Sequence, residues 1–479
     1  MPDLPFVFAR DQHLVLQGDT LVCGPGVTAF GLREARRRMR MPLQVEQVPQ
    51  EAFESLLNAH YHKGSAEDGE ADLSFDLETR DGGPGLRDLL EDATEAPVIE
   101  LVNQLLRRTV RAGASDLHVE PHDNGLRARV RVDGMLRTVM DRSDVPVRRV
   151  VSRLKVMAGL DTAETRLPQD GRIGLRYGGR DIDVRMSTLP GQYGERVVLR
   201  VLDRHSGLLP LDQLGLKPAQ EAVLRRLADR PDGIVLATGP TGSGKTTTLY
   251  SLLQLADHGR RNIVTVEDPI EYHLPGISQT QTNAEIGMTF AAGLRATLRQ
   301  DPDVILVGEI RDTETAQVAA QASLTGHLVF SSLHANNSVA AVTRLRDLGL
   351  DNFLIAATLR GILAQRLLRQ LCPACAKAAA PTDEEAALFT GAGLAPPPEL
   401  NHTTGCDACG GTGYAGRQAV FEIVEVTEDI TARIGENASE QDLKRLAVPR
   451  ENALFGQGLA MAAEGRTSIA EVRRVLGAA

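Results

Sequence analysis

The chain has 479 residues, of which 42% are hydrophobic and 24% are charged, so it exceeds a single core and predicts several globular domains. A net charge of −10, an aromatic content of 4% and a lack of tryptophan argue against a nucleic-acid-binding protein. The start of the chain does not resemble a signal peptide, and no apolar stretch reaches the roughly 18 residues of a membrane helix. We therefore expect a cytosolic protein.

Residues 1–62 have the composition of a small α/β module. A short apolar stretch, His13–Leu16, precedes a basic helical run from Arg33 to Arg40, and a further helix is predicted from Pro49 to His60. The basic run either contacts an acidic partner or anionic lipid, or forms a solvated helix face. Residues 63–94 are rich in Gly, Asp, Glu and Ser, which predicts an acidic, flexible linker.

A second domain, with helix and strand segregated, is predicted over residues 95–205. It begins with an amphipathic helix from Pro97 to Ala112. Every second residue of Asp181–Met186 is apolar, which indicates a half-buried strand, and Tyr177–Arg180 supplies a hairpin turn before it. The next predicted strand, Arg196–Leu202, carries arginines on one face.

A third domain, residues 206–370, alternates apolar strands with helical patterns, which predicts a parallel sheet covered on both faces. Its first strand leads into the phosphate-binding pattern G-x-x-x-x-G-K-T, which is formed by Gly239-Pro240-Thr241-Gly242-Ser243-Gly244-Lys245-Thr246 and precedes a helix from Thr247. The glycines let backbone N–H groups surround phosphate oxygens at a helix N-terminus. The pattern predicts a nucleoside triphosphate, with Lys245 on its β- and γ-phosphates and the Thr246 hydroxyl on magnesium (Mg²⁺). The four strands are predicted at Ile234–Ala237, Ile263–Val266, Val304–Val307 and Leu328–Phe330.

Titratable side chains follow or flank the other three strands. Glu267 and Glu309 follow the second and third strands, while His327 and His334 bracket the fourth. Because parallel strands end at a common edge, we expect all four side chains beside the phosphate loop. Glu309 is predicted to polarise the attacking water. Gly308 stands where an aspartate is usual, so Glu267 is predicted to help hold Mg²⁺.

Other residues of this domain are predicted to sense or stabilise the γ-phosphate. The two histidines would sense it or link it to a neighbouring subunit. Arg295 and Arg299 lie four residues apart on one predicted helix face, and either stabilise its charge or are surface arginines.

Four of the five cysteines form two CxxC pairs, Cys372 with Cys375 and Cys406 with Cys409. Four thiolates in this spacing predict a structural zinc (Zn²⁺) site without an open coordination position; free or redox thiols are the alternative. Residues 371–416 would form this zinc module and residues 417–479 a helical subdomain. Cys23 is predicted to be a small buried apolar residue.

Together these motifs resemble the ATPases of type II secretion and type IV pili. The resemblance covers residues 95–479 and includes six segments in order: Ser115–Pro121, Leu167–Arg172, the phosphate loop, an aspartate box at Thr265–Tyr272, a Walker B segment from Arg299 to Asp312, and a histidine box from Thr325 to His334. It implies ATP hydrolysis by a RecA-like core, preceded by a PAS-like domain, in a homohexameric ring. It also implies that Arg185 and Arg200 reach the nucleotide across the domain cleft, and that Arg295 and Arg299 line the site.

The N-terminal module, beginning Leu4–Arg10, resembles the type II secretion branch of this family. That resemblance implies docking of residues 1–62 on the cytoplasmic domain of an inner-membrane partner, contact with a polytopic platform protein, and no nucleic acid. The implied role is a motor for pseudopilus assembly that exports folded proteins. The alternatives are a type IV pilus extension ATPase, a DNA-translocating conjugative ATPase, which the net charge opposes, and a non-enzymatic scaffold, which Lys245 and Glu309 oppose.

Overall fold

The computed structural model of the chain describes residues 12–17, 20–39, 44–49, 53, 56, 73–76, 96–203, 208–256 and 259–477. The chain divides into two compact units, residues 1–73 and residues 74–479. The predicted α/β class is confirmed, since three of its sheets are accompanied by helices.

The first unit contains a three-stranded sheet among its described residues. Strand β1 (Leu14–Gln17) is antiparallel to β2 (Thr20–Cys23), and β2 is parallel to β3 (Gln44–Gln47). Helix α1 (Ala29–Met39) contains most of the predicted basic run. Cys23 is 1% exposed and packs in the same small core as Phe53, which confirms its predicted burial. The segments Leu4–Arg10 and most of Pro49–His60 lie outside the described residues.

A seven-stranded sheet follows in the order β4-β8-β9-β10-β5-β6-β7. Its strands are β4 (Leu73–Asp76), β5 (Asp116–His122), β6 (Gly125–Val132), β7 (Met135–Arg142), β8 (Gln169–Tyr177), β9 (Arg180–Leu189) and β10 (Arg196–Asp203), with helices α2 (Ala96–Arg111) and α3 (Val147–Met157). Strand β4 lies inside the segment predicted as a flexible linker, so that prediction is wrong at residues 73–76; apolar Leu73 and Phe75 alternate there as in a strand. The rest of 63–94 lies outside the described residues.

The predicted hairpin between β8 and β9 is confirmed. Gly178 and Gly179 adopt φ angles of 58° and 77°, which the turn requires at both central positions. Along β9, Ile182, Val184 and Met186 are buried. The polar residues between them therefore lie on the other face of the sheet.

A second seven-stranded sheet has the order β13-β12-β14-β15-β11-β16-β19. Its strands are β11 (Gly233–Thr238), β12 (Ile263–Glu267), β13 (Ser278–Gln281), β14 (Val304–Val307), β15 (Leu328–Leu333), β16 (Leu359–Leu371) and β19 (Tyr414–Glu425). All neighbouring pairs are parallel except β16 with β19. The four strands predicted from the sequence are all confirmed, and the structure adds β13, β16 and β19.

Helices cover both faces of this sheet. Along β11, Ile234 and Leu236 pack into one apolar cluster, while Val235 and Ala237 pack into another. This alternation explains why the strand is apolar at every position. The helices are α4 (Pro218–Ala228), α5 (Lys245–Leu253), α6 (Phe290–Thr297), α7 (Thr313–Leu324), α8 (Ala340–Asp347) and α9 (Asn352–Thr358).

The paired strands β16 and β19 bracket the cysteine module. The module contains β17 (Ala376–Ala379), α10 (Asp383–Gly391) and β18 (Leu400–Thr403). The predicted boundaries at 370/371 and 416/417 therefore fall inside two strands of the central sheet, because both strands run past the sheet edge to carry the cysteines. Helices α11 (Glu428–Gly435), α12 (Glu440–Ala447), α13 (Leu454–Ala463) and α14 (Ile469–Leu476) follow. The predicted boundary near 205 lies at residues 204–207, outside the described residues.

Among the described helices, none combines the length and the hydropathy required to cross a lipid bilayer.

Candidate active site

The phosphate loop connects β11 to α5 through three glycines with positive φ angles. Gly239, Gly242 and Gly244 have φ angles of 147°, 78° and 89°, which L side chains rarely adopt. Gly244 is the N-cap of α5, so the loop lies at the positive end of that helix. This backbone is the anion-binding arrangement that the sequence pattern predicts.

Lys245 closes the loop upon itself. Its Nζ donates to the carbonyl oxygens of Gly239 and Pro240 at 2.8 and 3.1 Å. Burial lowers the pKa of Lys245 below its ordinary value, Glu309 partly opposes that change, and Arg366 adds to it. The ammonium is therefore desolvated and held by neutral acceptors, a state that phosphate oxygens would improve.

Hydroxyl groups of the loop lack partners. The Ser243 Oγ is buried and forms no hydrogen bond with any described residue. Thr246, on the first turn of α5, is exposed, and its hydroxyl likewise has no partner in the described part of the chain. Thr241 is exposed and Thr247 is half-buried at the two sides of the loop. A free threonine hydroxyl directly after the loop lysine fits the predicted Mg²⁺ ligand.

Glu309 and His334 meet at the carboxyl edge of the sheet, as predicted. Strands β11 and β15 end in register at Thr238 and Leu333. The His334 Nε2 lies 3.5 Å from a carboxylate oxygen of Glu309, and Arg311 forms an ion pair with the other oxygen. The Glu309 side chain is only 13% exposed. A largely desolvated carboxylate beside a phosphate loop can orient and polarise a water molecule.

Glu267 occupies a separate, enclosed position at the end of β12. It is 3% exposed and accepts hydrogen bonds from the hydroxyls of Tyr250 and Thr265 and from Nε2 of Gln279, the last at 3.1 Å. Burial and the carboxylate raise the pKa of Tyr250, which keeps the phenol a donor. Three neutral donors compensate the buried charge, so Glu267 joins α5 to β12 and β13 in this arrangement.

His327 does not lie at the edge where it was predicted. It precedes β15, and its carbonyl oxygen accepts from the Gly233 amide at 3.2 Å, at the amino ends of the strands. One strand of six residues, roughly 18 Å, separates this edge from the phosphate loop. Residues before and after a strand lie at opposite edges of a parallel sheet, and for this reason the prediction that His327 and His334 share one edge is wrong within one chain.

Arg185 and Arg200 occupy adjacent positions on β9 and β10. They line a cavity of about 580 Å³ together with Arg172, Asp268 and other residues of both sheets. Arg185 donates to the Ile270 carbonyl at 2.9 Å and so contacts the aspartate box across the cleft. The structure places both predicted arginines in this cleft, although neither bonds to the phosphate loop in this chain.

Arg295 and Arg299 are not brought to the phosphate loop. Helix α6 ends at Thr297, so the predicted common helix face is interrupted before Arg299. Arg295 pairs with Glu314 at 2.6 Å, both side chains being at least half exposed, and Arg299 donates to the Arg295 carbonyl. Within one chain they are surface arginines.

Strand β16 contributes two residues that the sequence analysis missed. The Gln365 amide oxygen accepts from the Thr248 hydroxyl at 2.7 Å, and a Cβ built on Gly244 would lie 2.7 Å from its amide nitrogen. Arg366 lies against Gly239. The signal was present as polar residues following an apolar run, Gly361–Ala364, but that run was not assigned as a strand.

The four predicted cysteines converge into one cluster. Sulfur–sulfur distances are 3.7 Å for Cys406 with Cys409, 3.9 Å for Cys372 with Cys406 and 4.0 Å for Cys375 with Cys409. Zn–S bonds of about 2.3 Å place tetrahedral sulfurs about 3.8 Å apart, so the donor set fits zinc. Burial would raise the pKa of Cys409, but backbone N–H groups of Cys406 and Gly413 and the neighbouring thiols lower it to about 6, which favours the thiolate.

The second domain contacts this module. The β6–β7 turn residue Asp133 accepts from the Gly416 amide at 3.0 Å and lies 3.5 Å from Nε of Arg417. Nearby, Arg137 donates to the Thr412 hydroxyl at 3.4 Å. The module is thereby linked to both sheets of the second unit.

Two family profiles match the chain. The type II/IV secretion system protein family matches residues 91–474, and a profile for an N-terminal domain of GSPII protein E matches residues 3–61.

Curated relatives match over nearly the whole chain. Type II secretion system protein E of Aeromonas hydrophila is 46% identical over 99% of this chain and 96% of its own length. The protein of the same name from Pseudomonas aeruginosa and the type II secretion system ATPase E of Vibrio cholerae are each 46% identical over 98% of this chain and 96% of theirs.

Solved structures share the fold. The ATPase DotB of Legionella pneumophila has a TM-score of 0.58 at 20% identity, covering 78% of this chain and 94% of that chain. The pilus retraction motor PilT, solved with bound ADP, has a TM-score of 0.53 at 25% identity, covering 78% of this chain and 95% of that chain. The profile matches and full-length relatives show that the chain belongs to the type II/IV secretion system protein family, among its type II secretion system protein E members.

Proposed function

We propose that the chain is the ATP-hydrolysing motor of a type II secretion system. The observation that carries this proposal is Glu309, a largely desolvated carboxylate next to an intact phosphate loop. The family supports an ATPase, and the names of the relatives support secretion.

In the proposed reaction, Lys245 exchanges its two backbone carbonyl partners for the β- and γ-phosphates. The loop amides and the N-terminus of α5 bind the remaining phosphate oxygens. The Thr246 hydroxyl holds Mg²⁺, which neutralises phosphate charge when bound. Glu309 accepts a hydrogen bond from the attacking water and orients it toward the γ-phosphorus. His334, which contacts Glu309, holds that carboxylate in position. The products are ADP and phosphate.

The surrounding residues suggest how hydrolysis is coupled to movement. Arg185 and Arg200 extend from the second domain into the cleft that contains Asp268. We propose that these arginines neutralise phosphate charge as the cleft closes, and that the resulting domain rotation drives pseudopilus assembly. A homohexameric ring would let Arg295, Arg299 and His327 reach the site of an adjacent subunit. Zinc in the tetracysteine cluster would stabilise the module structurally.

The N-terminal match favours type II secretion over pilus extension. Residues 3–61 match a domain defined in GSPII protein E, and the relatives that cover this segment are type II secretion proteins. We propose that residues 1–62 dock on the cytoplasmic domain of an inner-membrane partner, beside a polytopic platform protein. Deletion of the gene should stop protein export and leave surface pili intact; loss of pili with normal export would favour the pilus alternative.

Glu309→Gln tests the catalytic proposal. We expect at least about a 100-fold fall in kcat, because the amide cannot accept the proton of the attacking water, with nucleotide affinity retained. Steady-state phosphate release and equilibrium binding of a fluorescent ATP analogue measure the two quantities. Glu221→Gln, which changes an exposed carboxylate paired with Arg225 on α4, is the matched control and should keep full turnover. Wild-type turnover in folded Glu309→Gln protein would refute the assignment.

A further inference from the structure

Arg366 is a cation beside the phosphate loop for which the proposed mechanism has no role. It follows the part of β16 that pairs with β11, where Ala364 is the partner of Thr238. A Cβ built on Gly239 would lie 3.1 Å from Nη1 of Arg366. The guanidinium therefore lies directly against the first residue of the loop.

The partners of Arg366 are neutral. Nη1 donates to the carbonyl of Gln365 at 3.0 Å, and Nη2 donates to the carbonyl of Asn336 at 2.7 Å. No carboxylate forms an ion pair with Arg366 among the residues that the structure describes. Burial lowers the pKa of Arg366 from its ordinary value, and Glu422 only partly opposes this. A half-buried guanidinium without a counter-ion gains most from an anionic ligand.

The charges around the loop are unbalanced in the same sense. Lys245 and Arg366 are close enough that each cation disfavours the other, and Glu309 is already paired with Arg311. The pocket therefore holds more positive than negative charge, which a polyphosphate would neutralise.

The second partner of Arg366 indicates which phosphate it meets. Asn336 lies two residues after His334, and His334 contacts Glu309 at 3.5 Å. The guanidinium is thus attached to the loop that carries the histidine of the hydrolytic side. We propose that Arg366 binds the γ-phosphate of ATP in its own subunit, exchanging the Asn336 carbonyl for phosphate oxygens; this rests on the ATPase function proposed above. Loss of the γ-phosphate would then return Arg366 to the histidine-box loop.

Arg366→Gln in the full-length protein tests this inference. Binding of MgATPγS and MgADP is measured by displacement of a fluorescent ADP analogue. We expect MgATPγS affinity to fall by about 10-fold or more and MgADP affinity by less than about threefold, since one charge-assisted contact to the γ-phosphate is lost. Arg366→Lys, which keeps the charge but not the planar fork, should fall between the two.

Arg360→Gln is the matched control. Arg360 lies on the same strand, pairs with Asp232 at 3.1 Å and should be replaceable without changing either affinity. Equal losses for the two nucleotides, or no loss for MgATPγS in folded Arg366→Gln protein, would overturn the inference alone. Wild-type protein that binds neither nucleotide would overturn the proposed ATPase function and the inference with it.

Discussion

Glu471 carries a carboxylate with no exposed side-chain surface on α14. Arg369 of β16 donates to it from its guanidinium at 2.7 Å and from its backbone amide at 3.1 Å, and Arg474 donates twice at 2.6 and 2.7 Å. Arg369 also stacks on Tyr414, 4.0 Å from the ring centroid. One carboxylate thus fixes the last helix to the strands that frame the cysteine module.

We expect Glu471→Gln to lower the free energy of unfolding by roughly 3 kcal/mol at pH 7, because Arg369 is left charged and largely buried. Burial alone would raise the pKa of Glu471, but the hydrogen bonds from Arg474 and Arg369 lower it below its ordinary value. The native state therefore binds fewer protons than the unfolded state. This contribution is complete above the unfolded pKa of about 4.3 and is lost as the pH falls through the lower folded value.

Urea unfolding of wild type and Glu471→Gln between pH 7 and pH 4 measures the difference. The gap should be constant at neutral pH and narrow only at the acid end of the series. Glu436→Gln provides a control, because Glu436 pairs with Arg433 while both side chains are more than 60% exposed; it should change stability by less than about 0.5 kcal/mol. A gap that widens on acidification would contradict the lowered pKa of Glu471.

At the scale of elements, the cysteine cluster is expected to organise the module between β16 and β19. The module has short elements and a small apolar cluster formed by its own cysteines, so a metal would supply much of its local stability. We predict about one zinc per chain in protein purified without chelators. Cys375→Ser or Cys409→Ser should lose the metal and increase hydrogen exchange over residues 400–416, as measured by mass spectrometry.

Cys23→Ser is the matched control for these variants. Cys23 is a buried thiol of the first unit, outside the cluster, so this change should leave the zinc content unchanged. Stoichiometric zinc in both cluster variants, or metal-free wild-type protein with unchanged exchange, would contradict a structural zinc site.

Sequence patterns predicted the elements whose burial is simple. Strands such as Val304–Val307 are apolar at every position because helices cover both faces, and the phosphate loop has a fixed spacing. Strand β16 was missed because arginines interrupt its apolar run, and Gln365 and Arg366 were missed with it. The donors around Glu267 were also not predictable, since Tyr250 and Gln279 come from different elements and meet only through sheet topology.

At the scale of the whole molecule, one chain does not assemble every predicted site residue. Glu309, His334 and Lys245 lie at the carboxyl edge of the sheet, but His327 lies at the amino edge. Arg295 is occupied by Glu314 on the surface. If these residues act in catalysis, a second copy of the chain must present them, and the active unit must be an assembly.

We therefore predict that ATP hydrolysis per subunit rises with protein concentration, because dilution separates the copies that share sites. Phosphate release is measured over a concentration series alongside the mass of the assembly by light scattering, so that activity and assembly can be compared at each point. Adding Lys245→Ala protein to wild type supplies the control. If sites are shared, these subunits restore assembly at low concentration while lacking turnover of their own, and Lys245→Ala protein that also carries Arg295→Gln and Arg299→Gln restores less activity at equal assembly. Constant activity per subunit across the transition from monomer to assembly would show that each chain is catalytically complete.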